Sequence, residues 1–179
     1  MHKAKRAIVE HKEAFIVEGY NDVIAWHKLG LLNTIAPCGT SVPESLWKQL
    51  RKFTDKIVFC MDPDKAGKNA VLKQIPICLA LGFRVDVIEL PGLDPDDFGR
   101  AYKSSFVIHN FSLYNLFNAK IEENGRTIKM RIDGFKLYMD SELSGDAITI
   151  AMSAKKICKT LAEIKEDSIL TIYKKWLGA

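Results

Sequence analysis

Lys56-Ile57-Val58-Phe59-Cys60-Met61-Asp62-Pro63-Asp64 sets a nearly unbroken apolar run directly before two carboxylates. A run without polar alternation suits a central strand of a parallel sheet, covered on both faces. Two further segments follow the same plan. Ala14-Phe15-Ile16-Val17 ends at Glu18, and Val85-Asp86-Val87-Ile88-Glu89-Leu90 leads through Pro91-Gly92-Leu93 to Asp94-Pro95-Asp96-Asp97. In open α/β sheets, ligands bind beyond the carboxyl ends of the strands. Acids placed after three such runs therefore point to one shared site.

Between these runs the sequence predicts helices. Asn21 to Leu29 has roughly helical apolar spacing and is closed by Gly30. Thr34-Ile35-Ala36 reads as a short second strand, followed by the turn Pro37-Cys38-Gly39-Thr40 and a helix over 43–53, with Thr40 or Ser41 as its cap and Pro43 in its first turn. A third helix, 66–81, is closed by Gly82 and carries Pro76, which is expected to kink or interrupt it. The order β-α-β-α-β-α-β implies an α/β fold: a parallel sheet of about four strands flanked by helices, with right-handed crossovers. Beyond residue 103 the pattern changes. Four proline-free stretches, about 104–122, 127–142, 146–162 and 166–177, read as a small all-helical subdomain, with Leu113, Leu116, Phe117 and Ile121 on one apolar face. The expected division is 1–103 and 104–179.

Composition bounds the function. With 47% hydrophobic and 27% charged residues among 179, the chain has the balance of a soluble, folded protein. No apolar stretch approaches the roughly 20 residues of a membrane span, and the basic N-terminus lacks the apolar segment of a signal peptide. A cytoplasmic protein without a membrane partner is expected. Cys38, Cys60, Cys78 and Cys158 are widely spaced, with no Cys-x-x-Cys pair, which argues against zinc. Cys60 reads as a buried, reduced thiol, and Trp26, Trp47 and Trp176 read as core residues.

The acids carry the chemistry. Asp62 and Asp64 are two residues apart, as are Asp94 and Asp96, so in extended backbone each pair can face one way. Gathered carboxylates repel one another and call for a cation between them. All-oxygen ligation favours Mg2+ or Mn2+, which bind through a few carboxylates plus water and phosphate, an arrangement suited to phosphoryl transfer. Any single one of these acids is equally well explained as a helix cap. Asp64 precedes a helix, Asp22 lies one turn beyond Glu18, and Asp97 is better placed for capping than for ligation. Their joint occurrence after three strands favours the metal reading.

These residues resemble the topoisomerase-primase (TOPRIM) fold, and within it the bacterial replicative DNA primases of the DnaG type. Val17-Glu18-Gly19-Tyr20-Asn21-Asp22-Val23-Ile24 is similar to the first motif, Asp62-Pro63-Asp64-Lys65-Ala66-Gly67 to the Asp-x-Asp motif, and Asp94-Pro95-Asp96-Asp97-Phe98 to the acidic motif after the fourth strand. Ala36-Pro37-Cys38-Gly39-Thr40 resembles the family's Gly-Thr turn. Residues 154–178 more weakly resemble the helical subdomain closing the primase polymerase region. The resemblance implies metal-dependent synthesis of RNA primers from ribonucleoside triphosphates on a single-stranded DNA template, in company with a replicative helicase. It implies that Glu18, Asp62 and Asp64 are catalytic, and that Glu18, Asp22, Asp62, Asp64, Asp94 and Asp96 hold metal. Pro63 stands where the family often has Gly. The family's zinc-binding module and basic template-binding half have no counterpart in this sequence, which reads as a catalytic-core fragment.

Lys3, Lys5 and Arg6, with Tyr20, Gly39, Thr40 and Lys65, are candidates for nucleotide or nucleic-acid contacts. Lys48, Arg51 and Lys52 read more simply as a solvated helix face. Two other functions fit the same residues: a TOPRIM nuclease, with the acids activating water, and a noncatalytic module binding helicase or DNA.

Overall fold

The computed structural model describes residues 2–37, 42–90, 94–104, 120–123, 126–129, 131–142, 144, 159 and 162–163. The sheet is built from β1 (Ala14–Ile16), β2 (Thr34–Ile35), β3 (Lys56–Phe59), β4 (Arg84–Ile88) and β7 (Arg131–Asp133) in the order β2-β1-β3-β4-β7. The first four strands are parallel, as the apolar runs imply, and β7 closes one edge antiparallel to β4.

Helices cover both faces. On one lie α1 (Lys5–His11), α3 (Glu44–Leu50), α4 (Lys65–Ala80) and α6 (Gly134–Glu142), packed over Ile16, Ile57, Phe59, Val85 and Val87. On the other, α2 (Tyr20–Lys28) and α5 (Pro95–Ser104) contribute Trp26 and Phe98 to a second core with Phe15, Val58 and Ile88. Trp26 meets Phe15 edge-on at 5.9 Å, and Trp47 meets Phe59 in the same way at 5.9 Å. Both tryptophans are fully buried, as their helical spacing predicts.

The structure departs from the sequence reading at four places. The basic N-terminal segment is the helix α1, because Ala4, Ala7 and Ile8 form a buried stripe behind Lys5 and Arg6. Pro43 itself is the N-cap of α3, which takes no side-chain cap; Thr40 and Ser41 lie outside the described residues. Pro76 lies within α4 without ending it. Most consequentially, the expected all-helical run beyond 103 includes β5 (Lys120–Glu123) and β6 (Arg126–Lys129), which pair antiparallel, as well as β7.

The physical cause of this last difference is readable in retrospect. Ile128, Met130 and Ile132 recur at period two, and Asn124-Gly125 is the pair most favoured between two hairpin strands. Absence of proline does not by itself make a helix. Residues 134–142 are helical as expected, and so are Lys159 and Ala162; Glu163, just past the expected end of that stretch, is helical too. Gly134 starts α6 where a Cβ would stand 2.7 Å from Val85 Cγ1, so only glycine lets this helix sit so close to β4.

A buried ion network ties β7 to the sheet. Arg131 donates through Nη2 to Glu13 Oε2 at 2.6 Å and through Nε to Asp86 Oδ2 at 2.7 Å. Lys56 Nζ lies 3.2 Å from the same Asp86 oxygen and 3.9 Å from Glu13 Oε2. Burial works against the Arg131 charge, but the hydrogen bonds and charges of Glu13 and Asp86 outweigh it and raise the pKa.

Candidate metal and nucleotide site

The strand order brings the acids together. β1, β3 and β4 are adjacent and in register, with Ile16 opposite Phe59 and Phe59 opposite Val87. Glu18 follows β1, Asp62 follows β3 and Asp94 follows β4, so all three leave the sheet at the same end. Neighbouring strands are about 4.8 Å apart, which confines these chain ends to a narrow rim.

Local hydrogen bonds fix each acid. Asp22, in the first turn of α2, accepts the Gly19 amide at 2.9 Å and is buried. Asp64 is the N-cap of α4, with Oδ1 2.7 Å from the Gly67 amide. Asp94 accepts the Asp97 amide at 2.7 Å, and Asp96 binds Arg100 one turn further along α5. The capping roles of Asp22 and Asp64 are thus real. Each uses one carboxylate oxygen in the bond that orients the group.

Electrostatics links the rim. Partial burial raises the Glu18 pKa, and the charges of Asp62, Asp64 and Asp22 add to it. Burial likewise raises Asp22, opposed by the Gly19 amide and reinforced by Asp62, Asp94 and Asp96. Asp62 is raised by burial and then by Asp94 and Asp64. Each of the six predicted acids is thus coupled to at least one other, with Asp22 and Asp62 linking the Glu18 side of the rim to the Asp94 side. Their hard oxygen donors and mutual repulsion suit a divalent cation. Among the described residues no three His, Cys, Asp or Glu side chains form a ready-made cage.

Other candidates are placed less centrally. Tyr20 begins α2 and is exposed, and Lys65 begins α4, also exposed. Lys5 lies 4.6 Å over the Phe53 ring in a cleft shared with Lys52 that contains none of the acids. Lys3 and Arg6 are exposed at and just before α1, while Gly39 and Thr40 lie outside the described residues. Cys60 is buried, and burial raises its pKa well above the usual thiol range, with Asp22 and Asp62 adding to the effect. It is packing, as its apolar run implies. His27 Nε2 meets the Thr34 carbonyl at 3.0 Å and plays no part in the rim.

Two residues not singled out from sequence matter here. Arg100 follows Asp96 by four positions, the spacing of a helical ion pair. Gly67 lies against the backbone of Asp62, where an added Cβ would be 2.3 Å from the Asp62 carbonyl oxygen. We expect Gly67→Ala to push Asp62 off the rim, costing about 2 kcal/mol as an overpacked site does and weakening Mn2+ binding several-fold. Urea unfolding and a Mn2+ titration read these separately; unchanged values in both would show that the loop yields freely.

The comparisons agree with this geometry. A family model described as Toprim-like matches residues 15–99. The DNA primase of Treponema pallidum is 41% identical over 91 residues, covering 51% of this chain and 15% of that protein. The DNA primase of Halalkalibacterium halodurans is 29% identical over 171 residues, covering 94% of this chain and 27% of that protein. The crystal structure of the Aquifex aeolicus primase, comprising zinc-binding and RNA polymerase domains, superposes with a TM-score of 0.65 at 26% identity, covering 96% of this chain and 38% of that one. The chain thus spans between 15% and 27% of the length of the first two relatives. Among the described residues no helix is long and apolar enough to cross a membrane. Residues 15–99 are thus similar to a Toprim-like domain, and the chain as a whole is similar to a part of bacterial DNA primases.

Proposed function

We propose that this chain is the catalytic core of a DNA primase, joining ribonucleotides into RNA primers on single-stranded DNA. The observation that carries the reading is the convergence of Glu18, Asp62 and Asp94 from adjacent strand ends, with the Asp62 charge raising the Glu18 pKa and the Asp94 charge raising that of Asp62. Asp62, Asp64, Asp94 and Asp96 would hold Mg2+ or Mn2+ together with nucleotide phosphates, with Glu18 and Asp22 at the inner edge of the site. The bound cation supplies Lewis-acid stabilisation of the phosphoryl centre and of the attacking and leaving oxygens.

The chain's own residues do the rest. Asp64 and Asp94 orient their free faces through the amides they cap. Asp22 holds the Gly19 turn, which sets where Glu18 emerges. Glu18, whose pKa is raised, is placed to take the proton released by an attacking 3′-hydroxyl. Ribonucleoside triphosphates, single-stranded template and a replicative helicase are the partners that this reading requires, in the cytoplasm. We also propose residues 1–103 as the catalytic unit and 104–179 as a second unit, with β7 and α6 of the latter docked on the sheet.

The test is a synthesis assay on the longest natural protein that carries this sequence, with single-stranded DNA, ribonucleotides and Mg2+. RNA oligomers that depend on template and metal support the reading. Strand cleavage without synthesis would assign the acids to a nuclease, and template binding with neither activity would assign the chain to a binding module.

A further inference from the structure

A cavity of about 420 Å³ opens on the flank of Asp62, between α4 and α6. It lies on the sheet face opposite α2 and α5. Its inner wall is apolar: Val71 and Val87 are nearly buried, and Leu72 and Leu137 are half-buried across from each other on the two helices. Its charged groups are confined to Asp62, Lys68 and Glu89. A second hollow, about 350 Å³, flanks the acids between α2 and α5, with Lys28, Asp96 and Arg100 in its lining.

The two hollows differ in chemistry. The α2–α5 groove sets Ile24, Ala25 and Leu29 beside Lys28 and the Asp96–Arg100 ion pair, so charged groups form a larger share of its lining than in the α4–α6 cavity. The α4–α6 cavity offers hydrocarbon walls within a volume typical of small-ligand pockets, and one of its walls is a candidate metal ligand. A molecule that places an anionic end on the acids and reaches this cavity must carry a compact apolar body a few bonds away. A nucleotide has that form.

We propose that the cavity between α4 and α6 is the base pocket for the incoming nucleotide, with Leu72 and Leu137 closing on the two faces of the ring. The proposal rests on the primase reading of the acid rim and adds to it the residues that receive the base. The walls formed by Val71, Leu72, Val87 and Leu137 present no side-chain hydrogen-bonding group, so the pocket reads ring shape and leaves base identity to the template. Affinities for the four ribonucleoside triphosphates should accordingly agree within a few-fold.

The experiment is photolabelling of the 179-residue chain with 8-azido-ATP and Mn2+, followed by peptide mapping, alongside calorimetric titration with inorganic tripolyphosphate and Mn2+. Adducts on the α4 segment around Leu72 or the α6 segment around Leu137, suppressed by excess ATP or CTP, are the expected result. Adducts confined to α2 and α5, with tripolyphosphate still binding, would overturn the base pocket while leaving the acid rim intact. Failure of tripolyphosphate to bind would remove the acid-rim reading itself, and the pocket with it. As a second measurement, Leu137→Trp fills the cavity and should weaken ATP about tenfold without changing tripolyphosphate affinity. Equal ATP affinity in a variant with an unchanged circular dichroism spectrum would also overturn the proposal.

Discussion

Arg131→Met should unfold this protein at markedly lower urea concentration, with a loss of about 3–5 kcal/mol, the usual cost of leaving a buried charge without its partner. Glu13 is 3% exposed, and its Oε1 has no hydrogen-bond partner among the described residues. Once the guanidinium is removed from Oε2, the carboxylate keeps, among the described residues, only the ion pair with Lys56, 3.9 Å away. Asp86 loses a 2.7 Å hydrogen bond in the same change, although Lys56 stays with it at 3.2 Å. The pair is not itself a large source of stability, because taking both charges out of water offsets most of their attraction. A Glu13→Met/Arg131→Met double variant should therefore recover most of what either single variant loses. The double-mutant cycle would show a coupling of about 2 kcal/mol or more. Single-variant losses below about 1 kcal/mol, the range of exposed pairs, would mean that the network is hydrated and weak.

The same network explains which parts of the fold the sequence discloses. β1, β3 and β4 are legible because a strand buried on both faces must be apolar along its length, and such runs are visible without knowing their partners. The acid rim is legible for a related reason: function places polar groups where those runs stop. β7 has only three residues, two of them charged, and Arg131 is satisfied by groups far away in the chain: Glu13 lies 118 positions from it. Ile132 continues the period-two recurrence of Ile128 and Met130, but three residues are too few to separate strand from helix turn until the pairing with β4 is known. α1 was hidden in the same way, since a stripe of Ala4, Ala7 and Ile8 is narrow beside the lysines around it. Gly67 follows Asp64 at the third helical position, so its cap was foreseeable. Its approach to the Asp62 carbonyl was not, because a backbone contact leaves no mark on residue type.

Asp62→Asn should abolish primer synthesis and at the same time make the metal-free protein more stable. The amide keeps the shape of the side chain and removes the charge, so a bound cation loses both a ligand and its attraction to the rim. Lewis-acid stabilisation supplies several kcal/mol of barrier lowering, and each 1.36 kcal/mol is a factor of ten; a fall of about 10²–10³-fold is expected. The stability change has the opposite sign. Partial burial and the neighbouring Asp94 and Asp64 raise the Asp62 pKa above its ordinary 3.8. The folded state thus holds the proton more readily than the unfolded state, and the ionised group works against folding at neutral pH. That penalty disappears as pH falls through the raised value towards 3.8 and both states become protonated. For a half-exposed, screened group the gain in the variant is on the order of 0.5 kcal/mol, about 1–2 °C in Tm for a chain of this size. It should be largest at pH 7 and shrink in acid. Millimolar Mn2+ should reverse the order, since binding to the native state stabilises the unmodified protein in proportion to its affinity and leaves the variant behind. A variant that melts at the same temperature as the parent at every pH, gains as much from Mn2+ and still makes primers would remove Asp62 from the site.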